Sequence, residues 1–503
     1  MSLPAEREAS SAAHVSYGSI PPLALGFNLK YACVALLVQL GLQYGCWGFT
    51  VDDAWIVSRV TSHGLVSGDF HFNSGQPTDA VTPLGFAQFL AFFARLGDVR
   101  APLQVFELTR RLGLIAQLAS FFVAGGLLPA RVSLATLLLA SLGCLPSTLW
   151  AGAGLETPWV GLGLVVGQWC FWRWENWGLA GALFGAAIAW RPELGPYVCG
   201  LAWVSIKPAL PRDGANLQRI ALLLVSMALP VLAVALVRLW SFGSLIPLAA
   251  MAKAPDWSSG LRYLFMSVVW GGLLTTALLS LGEAAWGGPL LLAVLHLLAL
   301  GLCGGDWMPG LRLSAPIYPS LLVLVACRAT LQSPWNRKRV LLRGAALLLA
   351  PIMPAVLLVT QGADYRAVVA RRLEMVKQAS HLLLGSRVIA TVDVGWVGIS
   401  SQASIVDLGG VTDPRIGRLR GGHTNRPLSP GLFSARNVDT WIIRAQNRDY
   451  RLGDPLFTVV PVYGTDFRLL LASADFDMRG IGVIPIAGTP GQYVVAQVHP
   501  STP

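Results

Sequence analysis

Long apolar stretches recur through the first 360 of the 503 residues, and they constrain the fold more than any other feature of the chain. A bilayer core of about 30 Å is crossed by a helix of about 20 apolar residues, and shorter stretches suffice for helices packed among others. Only 13% of the residues are charged, against about a quarter in soluble proteins. These features exclude a water-soluble globular protein and predict a polytopic α-helical membrane protein. The candidate spans are eleven: 31–49, 112–129, 132–150, 157–173, 178–190, 194–206, 219–240, 263–281, 287–303, 313–328 and 339–360.

The charged residues are unevenly distributed, and this predicts two domains. Of the 63 charged residues, 37 lie in the first 360 positions and 26 in the last 143. We therefore expect a transmembrane domain at 1–360 and a soluble domain at 361–503. After a helical start, the soluble domain has short alternating runs separated by Gly, Pro and Asp, which predict strands in an α/β or α+β fold. These runs are RVIATVDVGWVGI (387–399), SIVDL (404–408), LFTVVPVYG (456–464) and YVVAQV (493–498).

The basic residues between spans predict the topology. Lys and Arg near 207–219 and 328–343 belong on the cytoplasmic side by the positive-inside rule, which places the N-terminus inside and the soluble domain outside. The short segment 83–97 has apolar residues at helical spacing, and we interpret it as an interfacial amphipathic helix of the first outer loop. Five loops then share the outer face: 50–111, 151–156, 191–193, 241–262 and 304–312.

The net charge of +11 raises the question of nucleic acid as a partner. No basic run with interleaved aromatic residues supports nucleic-acid binding. We expect membrane lipids with anionic headgroups to be the partners of this positive charge instead.

Two adjacent carboxylates, Asp52 and Asp53, open the first outer loop. Ionisable groups at membrane depth usually face a water-filled cavity and mark function. Burial beside a second carboxylate raises one pKa and produces a general base. Alternatively, either residue could simply cap the helix that follows, because Asp is a preferred N-cap. The pair alone leaves both interpretations open.

Charged residues at the other outer loops strengthen the functional interpretation. Each could be structural by itself, as a helix start or as a cation that reaches lipid headgroups. Together they predict a cavity with carboxylates for proton chemistry and cations for an anionic ligand, as transfer from a lipid phosphate requires. These residues are Glu156, Arg191, Glu193, Arg238, Lys253, Asp306, with Trp307 beside it, and Arg312.

In this order, these blocks resemble the GT-C superfamily of polyprenyl-phosphate-dependent membrane glycosyltransferases. The chain looks most like the branch that contains the terminal arabinofuranosyltransferase of mycobacterial cell-wall synthesis and its bacterial relatives. The first-loop residues that match are Asp52, Asp53, Arg59, Gly64, Asn73, Gly75, Thr82, Pro83 and Leu84. The later matching blocks are GLETP (154–158), RPE (191–193), the loop from Arg238 to Lys253, GGDWMP (304–309) and DLGGVTDPRIG (407–417).

The resemblance implies a sugar, most simply arabinofuranose, moved with inversion from a polyprenyl-phosphate donor to a glycan hydroxyl. It implies that Asp52 or Asp53 is the base and that Arg238 and Lys253 contact the donor phosphate. It also places the protein in a bacterial inner membrane, with the active site and soluble domain on the periplasmic face. The remaining substrate-binding residues that it implies are Arg59, His63, Asn73, Thr82, Glu156, Arg191, Glu193, Asp306, Trp307 and Arg312. The chain departs from the family at Asp79-Ala80-Val81 and around His63, so the sugar is left open.

Three aspartates of the soluble domain, Asp393, Asp407 and Asp413, lie at strand ends or turns. Turn and capping roles are the simplest interpretation of each. The resemblance implies that their segments pack over the catalytic mouth.

Other activities and a metal have to be weighed against this prediction. A flippase or transporter of a lipid-linked sugar would also have many spans, but such proteins tend to show internal repeats, and we find none. A pentose or hexose could also go to a protein or lipid acceptor. We expect no cofactor; a divalent metal is possible at Asp52 and Asp53, but the sequence has no dense set of carboxylates and histidines that would require one.

Overall fold

The computed structural model describes residues 27–206, 214–253, 256–279, 288–306, 308–329, 337–472 and 477–499. The first part of the chain is helical. Its helices are α1 (Leu29–Cys46), α2 (Asp52–Ser67), α3 (Phe86–Leu96), α4 (Pro102–Gly126), α5 (Leu134–Leu142), α6 (Leu145–Ala151), α7 (Thr157–Arg173), α8 (Trp177–Trp190), α9 (Gly195–Ile206), α10 (Gly214–Phe242), α11 (Leu248–Ala252), α12 (Trp257–Trp270), α13 (Leu273–Leu279), α14 (Pro289–Leu302), α15 (Tyr318–Ala329) and α16 (Arg337–Leu382).

Every predicted span overlaps one or two of these helices. Within the described residues, three helical segments are long and apolar enough to cross a membrane, namely Leu29–Cys46, Asn216–Phe242 and Gly344–Leu382. A fourth crossing is possible if α5 and α6, which meet at an angle of 55°, form one broken span. The other predicted spans are shorter helices or, in α4, a helix with three charged residues near its start. The chain is therefore a multi-pass membrane protein, but helix length does not establish eleven crossings.

The first outer loop folds back on the ends of the spans through two helices. The segment predicted as an interfacial helix forms α3, which begins three residues later than the predicted start at 83. One face of α3 buries Phe86 and Leu90, whereas Phe92 and Leu96 are exposed. This two-sided pattern is the one expected of a helix at the edge of a bilayer.

The last part of the chain carries a five-stranded sheet with the order β2-β1-β3-β5-β4. β1, β2 and β3 are parallel, and β5 runs antiparallel to β3 and β4. Helix α16 passes residue 360 without a break and leads into this domain. The elements are β1 (Val388–Thr391), α17 (Val394–Ser400), β2 (Ser404–Asp407), α18 (Pro414–Gly417), α19 (Gly431–Ala435), β3 (Thr440–Ala445), α20 (Gly464–Leu471), β4 (Asp477–Pro485) and β5 (Gln492–His499).

The predicted strands SIVDL and YVVAQV are present as β2 and β5. The run at 387–399 is a strand only in its first part, because the chain turns at Asp393 and continues as α17. The run at 456–464 was wrong as a strand: it begins with a 3-10 turn at Leu456–Thr458 and makes a single bridge, between Pro461 and Ala445. The apolar side chains of this run pack against the sheet, but the backbone of the run does not pair as one of its strands.

The soluble domain is attached to the first outer loop by polar side chains that bind its backbone. Arg59 is buried and donates hydrogen bonds to the carbonyl oxygens of Gly398, Ser401 and Ala403. The Asn73 amide accepts from the Ile405 N–H at 2.9 Å and donates to the Ile405 carbonyl at 2.8 Å, so it pairs with the edge of β2 as a strand would. One hydrophobic cluster spans both parts and includes Trp55, Phe72 and Trp396. The outer ends of the helices and the soluble domain therefore form one continuous interface.

Candidate active site

The two adjacent carboxylates lie in the first turn of α2, at this interface. A helix N-terminus stabilises negative charge, because its first N–H groups have no partner within the helix. Their side chains diverge: Asp52 contacts the soluble domain, whereas Asp53 contacts the loops that follow α11 and α14. The structure therefore gives two neighbouring carboxylates different environments.

Asp52 is held by the soluble domain. Its carboxylate accepts hydrogen bonds from the backbone N–H groups of Gly395 at 2.7 Å and Trp396 at 3.0 Å, and it lies 3.3 Å from the Arg372 guanidinium. Gly395 is required here, because a Cβ would clash with the Asp52 backbone oxygen. Burial raises the pKa of Asp52 to about 6, against the opposing effects of Arg372 and the two amides, and nearby Asp393 adds to the rise. Asp52 therefore links α2 to the soluble domain, with 16% of its side-chain surface accessible.

Asp53 is surrounded by cations and remains partly exposed, with 28% of its side-chain surface accessible. Arg312 Nη1 lies 2.9 Å from Asp53 Oδ2, and Lys253 Nζ lies 3.8 Å from the same oxygen. Burial alone would raise the pKa of Asp53, but Lys253 and Arg312 together hold it below its ordinary value. The group is therefore a carboxylate anion at neutral pH.

Arg312 connects Asp53 to a second, buried carboxylate. Its Nε lies 2.7 Å from Asp306 Oδ2, and its guanidinium lies near the ring of Trp150. Burial would lower the pKa of Arg312, but Asp306 and Asp53 raise it above its usual range. We call Asp53, Lys253, Asp306 and Arg312 the Asp53 cluster.

A further ionic group lies at the start of α7, beside this cluster. Arg191 Nη2 lies 2.5 Å from Glu156, its Nη1 lies 3.1 Å from Glu193, and all three side chains are largely buried. Arg191 also donates to Thr157 Oγ1 at 3.3 Å. Glu156 is close enough to Arg312 to contribute to its raised pKa. The structure thus brings together seven residues singled out in the sequence for charge: Asp53, Glu156, Arg191, Glu193, Lys253, Asp306 and Arg312.

Arg238 lies at the outer end of α10 and is engaged by the first outer loop. Its Nε lies 2.7 Å from Asp79 Oδ2, and its Nη2 donates to the Thr82 carbonyl at 2.7 Å. Thr82 therefore contributes a backbone oxygen here. A cavity of about 490 Å³, lined by residues of the first outer loop and of α10, lies beside this pair. The guanidinium of Arg238 thus supports the wall of a cavity and already has a carboxylate partner.

Several predicted substrate-binding residues lie outside the Asp53 cluster. Arg59 and Asn73 bind the backbone of the soluble domain, as described above, and His63 Nδ1 lies 3.0 Å from the His71 carbonyl. Trp307 lies outside the described residues.

The three aspartates of the soluble domain have identifiable structural contacts. Asp393 accepts from the Tyr463 and Tyr493 hydroxyls at 2.8 and 2.7 Å. Asp407 accepts from the N–H groups of Gly409, Gly410 and Thr412, and burial raises its pKa to about 6. Asp413 caps α18 and pairs with Arg436. Turn and capping geometry accounts for Asp407 and Asp413.

Sequence reasoning missed the segment that follows α18, although it carries three arginines and a histidine within nine residues, 418–426. Arg426 is fully buried and donates to the Ala252 carbonyl at 2.8 Å and the Gly409 carbonyl at 3.1 Å. It therefore ties the soluble domain to the residue before Lys253. His423 lies close to Asp53 and Lys253, and burial, with Lys253, lowers its pKa to about 4. The high density of basic residues in this segment was the available signal.

The described residues contain no group of three or more His, Cys, Asp or Glu side chains that could hold a metal ion. Metal dependence stays untested. The chemistry available at the site is that of one partly exposed carboxylate, paired cations and buried carboxylates.

Known structures share the arrangement of these elements. Apo ArnT from Cupriavidus metallidurans superimposes with a TM-score of 0.50 at 13% identity, over 93% of this chain and 97% of its own. The chain has the GT-C fold. The apo oligosaccharyltransferase of Archaeoglobus fulgidus gives 0.48 at 11% identity, over 82% of this chain and 69% of its own. A structure of the same ArnT bound to undecaprenyl phosphate gives 0.47 at 13% identity, over 93% and 97% of the two chains.

No protein-family model matches the sequence, and no curated protein is similar to it. These similarities show the GT-C fold, and they do not show the narrower arabinofuranosyltransferase branch.

Proposed function

We propose that the protein is a membrane glycosyltransferase that moves a sugar from a polyprenyl-phosphate donor to an acceptor hydroxyl, with inversion and with Asp53 as the general base. The observation that carries this proposal is the geometry of Asp53, a partly exposed carboxylate with Arg312 at 2.9 Å and Lys253 at 3.8 Å. A base next to paired cations is what a displacement with an anionic leaving group requires.

In the proposed reaction the acceptor oxygen attacks the anomeric carbon and forms the new glycosidic bond. The bond between that carbon and the phosphate oxygen breaks, and its electron pair leaves with polyprenyl phosphate. Asp53 takes the proton of the acceptor hydroxyl, while Lys253 and Arg312 stabilise the charge that grows on the phosphate. Because phosphate leaves without being protonated, no second carboxylate is needed as an acid.

Asp53 suits the role of base better than Asp52 because of its accessibility and its partners. Both oxygens of Asp52 already accept a backbone N–H. Moving a substrate proton to Asp52 would break these bonds and loosen the contact with the soluble domain. Asp53 has only cations at its Oδ2, and donor phosphate can share these cations.

Donor binding should also strengthen the base. Lys253 and Arg312 hold the pKa of Asp53 below its ordinary value. A bound phosphate would neutralise part of that positive charge and add a like charge near Asp53, and both effects raise a carboxyl pKa. The base would then gain proton affinity only when the donor is in place.

The buried ionic groups supply the surroundings of the sugar in this proposal. Carboxylates accept hydrogen bonds from sugar hydroxyls, and Glu156, Glu193 and Asp306 are held in place by arginines. Arg238 would contact phosphate only if it exchanged Asp79 for the ligand, so Lys253 is the stronger candidate for that role.

The donor sugar and acceptor are proposed by chemical class. ArnT has been crystallised with undecaprenyl phosphate, which supports a polyprenyl phosphate as carrier. We propose arabinofuranose as the first sugar to test and a glycan hydroxyl as the first acceptor, and other pentoses, hexoses, proteins and lipids are the alternatives. We place the reaction on the periplasmic face of a bacterial inner membrane.

The test is transfer by purified protein in detergent from a panel of polyprenyl-phosphate pentoses and hexoses. We expect Asp53→Asn to lower kcat by about 10²- to 10⁴-fold, the usual contribution of a general base. Asp98→Asn is the matched control, because Asp98 lies on the same loop and its side chain is exposed. Full turnover by Asp53→Asn would overturn its assignment as the base, and no transfer from any donor by the wild-type protein would count against the enzyme itself.

A further inference from the structure

A second cavity lies beside α11 and shares Asp79 with the cavity described above, but it is not part of the Asp53 cluster. Its volume is about 270 Å³, and it is formed jointly by the first outer loop, the end of α10, α11 and α18. Leu248 and Met251 of α11 line it, whereas Lys253, the residue that follows the helix, contacts Asp53. The short helix α11 therefore lines the cavity on one side and ends next to Lys253 of the Asp53 cluster.

Two arginines of the soluble domain, Arg415 and Arg418, supply the positive charge of the cavity. Both are exposed, and neither forms an ion pair with a carboxylate among the residues that the structure describes. The nearest acidic residue in sequence, Asp413, pairs with Arg436 instead. Two guanidinium groups three positions apart offer the planar, multiple donors that bind a phosphate.

The cavity also contains a buried acceptor. Asp79 is 6% exposed, and its Oδ2 pairs with Arg238. Its Oδ1 makes no hydrogen bond of ordinary geometry within the described part of the chain, although the Leu248 amide acts on the carboxyl. An unsatisfied buried oxygen of this kind is costly, and a ligand hydroxyl would satisfy it. Ser241 and Ser244 add hydroxyls to the lining.

The position of the cavity indicates that its ligand comes from the bilayer. It lies at the outer end of α10, whose apolar span is only 6% buried inside the protein. Trp240 on the last turn of α10 is 89% exposed, and Leu245 and Ile246 in the next loop are exposed as well. Tryptophan is enriched at the boundary between acyl chains and headgroups, and exposed aliphatic side chains beside it suit contact with the acyl chains. Arg415 and Arg418 therefore lie near the depth of lipid phosphates.

We propose that this cavity binds the headgroup of an anionic membrane phospholipid, with its phosphate on Arg415 and Arg418 and a headgroup hydroxyl on Asp79. Phosphatidylglycerol carries both groups. The site goes beyond the proposed transfer reaction, and it has a consequence for it, because α18 packs directly on α11. A Cβ at Gly417 would lie 2.7 Å from Leu248 Cδ1. A bound lipid would therefore hold together the two segments that position Lys253.

The test is native mass spectrometry of the delipidated full-length protein with added phosphatidylglycerol or phosphatidylcholine. We expect the wild-type protein to bind phosphatidylglycerol more tightly than phosphatidylcholine. The R415Q/R418Q double variant should lose about tenfold in affinity for phosphatidylglycerol only, as expected for the loss of two charge-assisted hydrogen bonds in a wet site. Arg420→Gln removes the same charge from the same exposed segment without touching the cavity, and it should bind as the wild-type protein does.

Three outcomes would overturn the proposal. The first is equal affinity of the wild-type and double-variant proteins for phosphatidylglycerol, and the second is displacement of the lipid by an equal concentration of inorganic phosphate. The third is a site that depends on Arg415 and Arg418 but binds undecaprenyl phosphate and not phosphatidylglycerol. Asp53→Asn should bind phosphatidylglycerol normally, so this test is independent of the transfer assay. If the double variant unfolds at a lower temperature, the single variant Arg418→Gln repeats the measurement with a smaller change.

Discussion

The carboxylate of Asp52 and the backbone N–H of Gly395 lie 2.7 Å apart, although 343 positions separate them in the chain. This contact joins the first turn of α2 to the first turn of α17, and so the membrane part to the soluble domain. It also separates the roles of two adjacent aspartates, because the neighbour, Asp53, contacts cations instead. The contacts of Asp52 attach the soluble domain to α2, and proton transfer by Asp53 is the role that we propose for its neighbour.

Asp52→Asn should destabilise the contact between the two parts more than it affects chemistry. An amide at this position loses the charge that strengthens the Gly395, Trp396 and Arg372 contacts, at a cost of about 1–3 kcal/mol. We expect a lower melting temperature and faster proteolysis near α17. The control is Asp98→Asn, on the same loop. An unchanged melting temperature together with complete loss of turnover would instead make Asp52 the base.

Lys253→Gln should weaken donor binding more than acceptor binding. The change removes a cation that lies 3.8 Å from Asp53 and that we assign to the donor phosphate. We expect the donor KM to rise about tenfold, in line with loss of one charge-assisted contact, with little change in the acceptor KM. Lys377→Gln, on the exposed side of α16, is the matched control. Equal rises of the two KM values would contradict this role.

Arg426→Gln should loosen the segment that carries Lys253, although Arg426 is not part of the Asp53 cluster. The substitution removes the hydrogen bonds to the carbonyls of Ala252 and Gly409, which should cost about 3 kcal/mol for a buried charged donor. Hydrogen exchange of residues 248–253 should become faster, and the donor KM should rise. The exposed Arg387 provides the control, as Arg387→Gln. Unaltered exchange at 248–253 in the Arg426 variant would show that the link is unimportant.

Asp466 should make the stability of the soluble domain depend on pH. It is fully buried in α20, accepts from Trp441 Nε1 at 3.2 Å, and burial raises its pKa to about 8 from 3.8. Between these values the folded state holds a proton that the unfolded state has lost, so this contribution to stability is present at low pH and disappears as pH rises through about 8. Asp466→Asn stays neutral at every pH. The melting temperature of the variant minus that of the wild-type protein should therefore increase from pH 5 to pH 9. A difference that stays constant over this range would contradict the raised pKa of Asp466.

The eleven-span topology predicts which loops a membrane-impermeant maleimide can reach. In a chain without native cysteines, a cysteine at Asp98 or Arg387 should be labelled in intact cells, and one at Glu175 only after permeabilisation. All three side chains are exposed, so access through the membrane is the variable measured. Labelling at Gly154 would be less informative, because that residue is buried and has a φ of +87°. Labelling of Glu175 and Asp98 together in intact cells would rule the topology out.

Much of the architecture could be read from the sequence, because it depends on local patterns. Apolar stretches of sufficient length became helices, and the alternation in SIVDL and YVVAQV became β2 and β5. The charged residues between spans also predicted a shared face, where Asp53, Lys253, Asp306 and Arg312 now meet. The hydropathy and charge of a segment depend only on its own residues. These features can therefore be predicted without knowing which distant residues the segment contacts.

The partners of individual charged groups were decided only by the tertiary structure. Arg312 and Asp53 are 259 positions apart and Arg238 and Asp79 are 159 apart, and no local pattern distinguishes these pairings from others that the same residues could make. The sequence by itself determined that the chain enters a membrane, and it predicted that ionisable residues of several loops share one face. Packing of the soluble domain against α2 and α11 decided that Asp52 accepts two backbone N–H groups, whereas the more accessible Asp53 lies beside two cations. The physical reason is that desolvation and ion pairing depend on distances of a few ångströms between residues far apart in the chain.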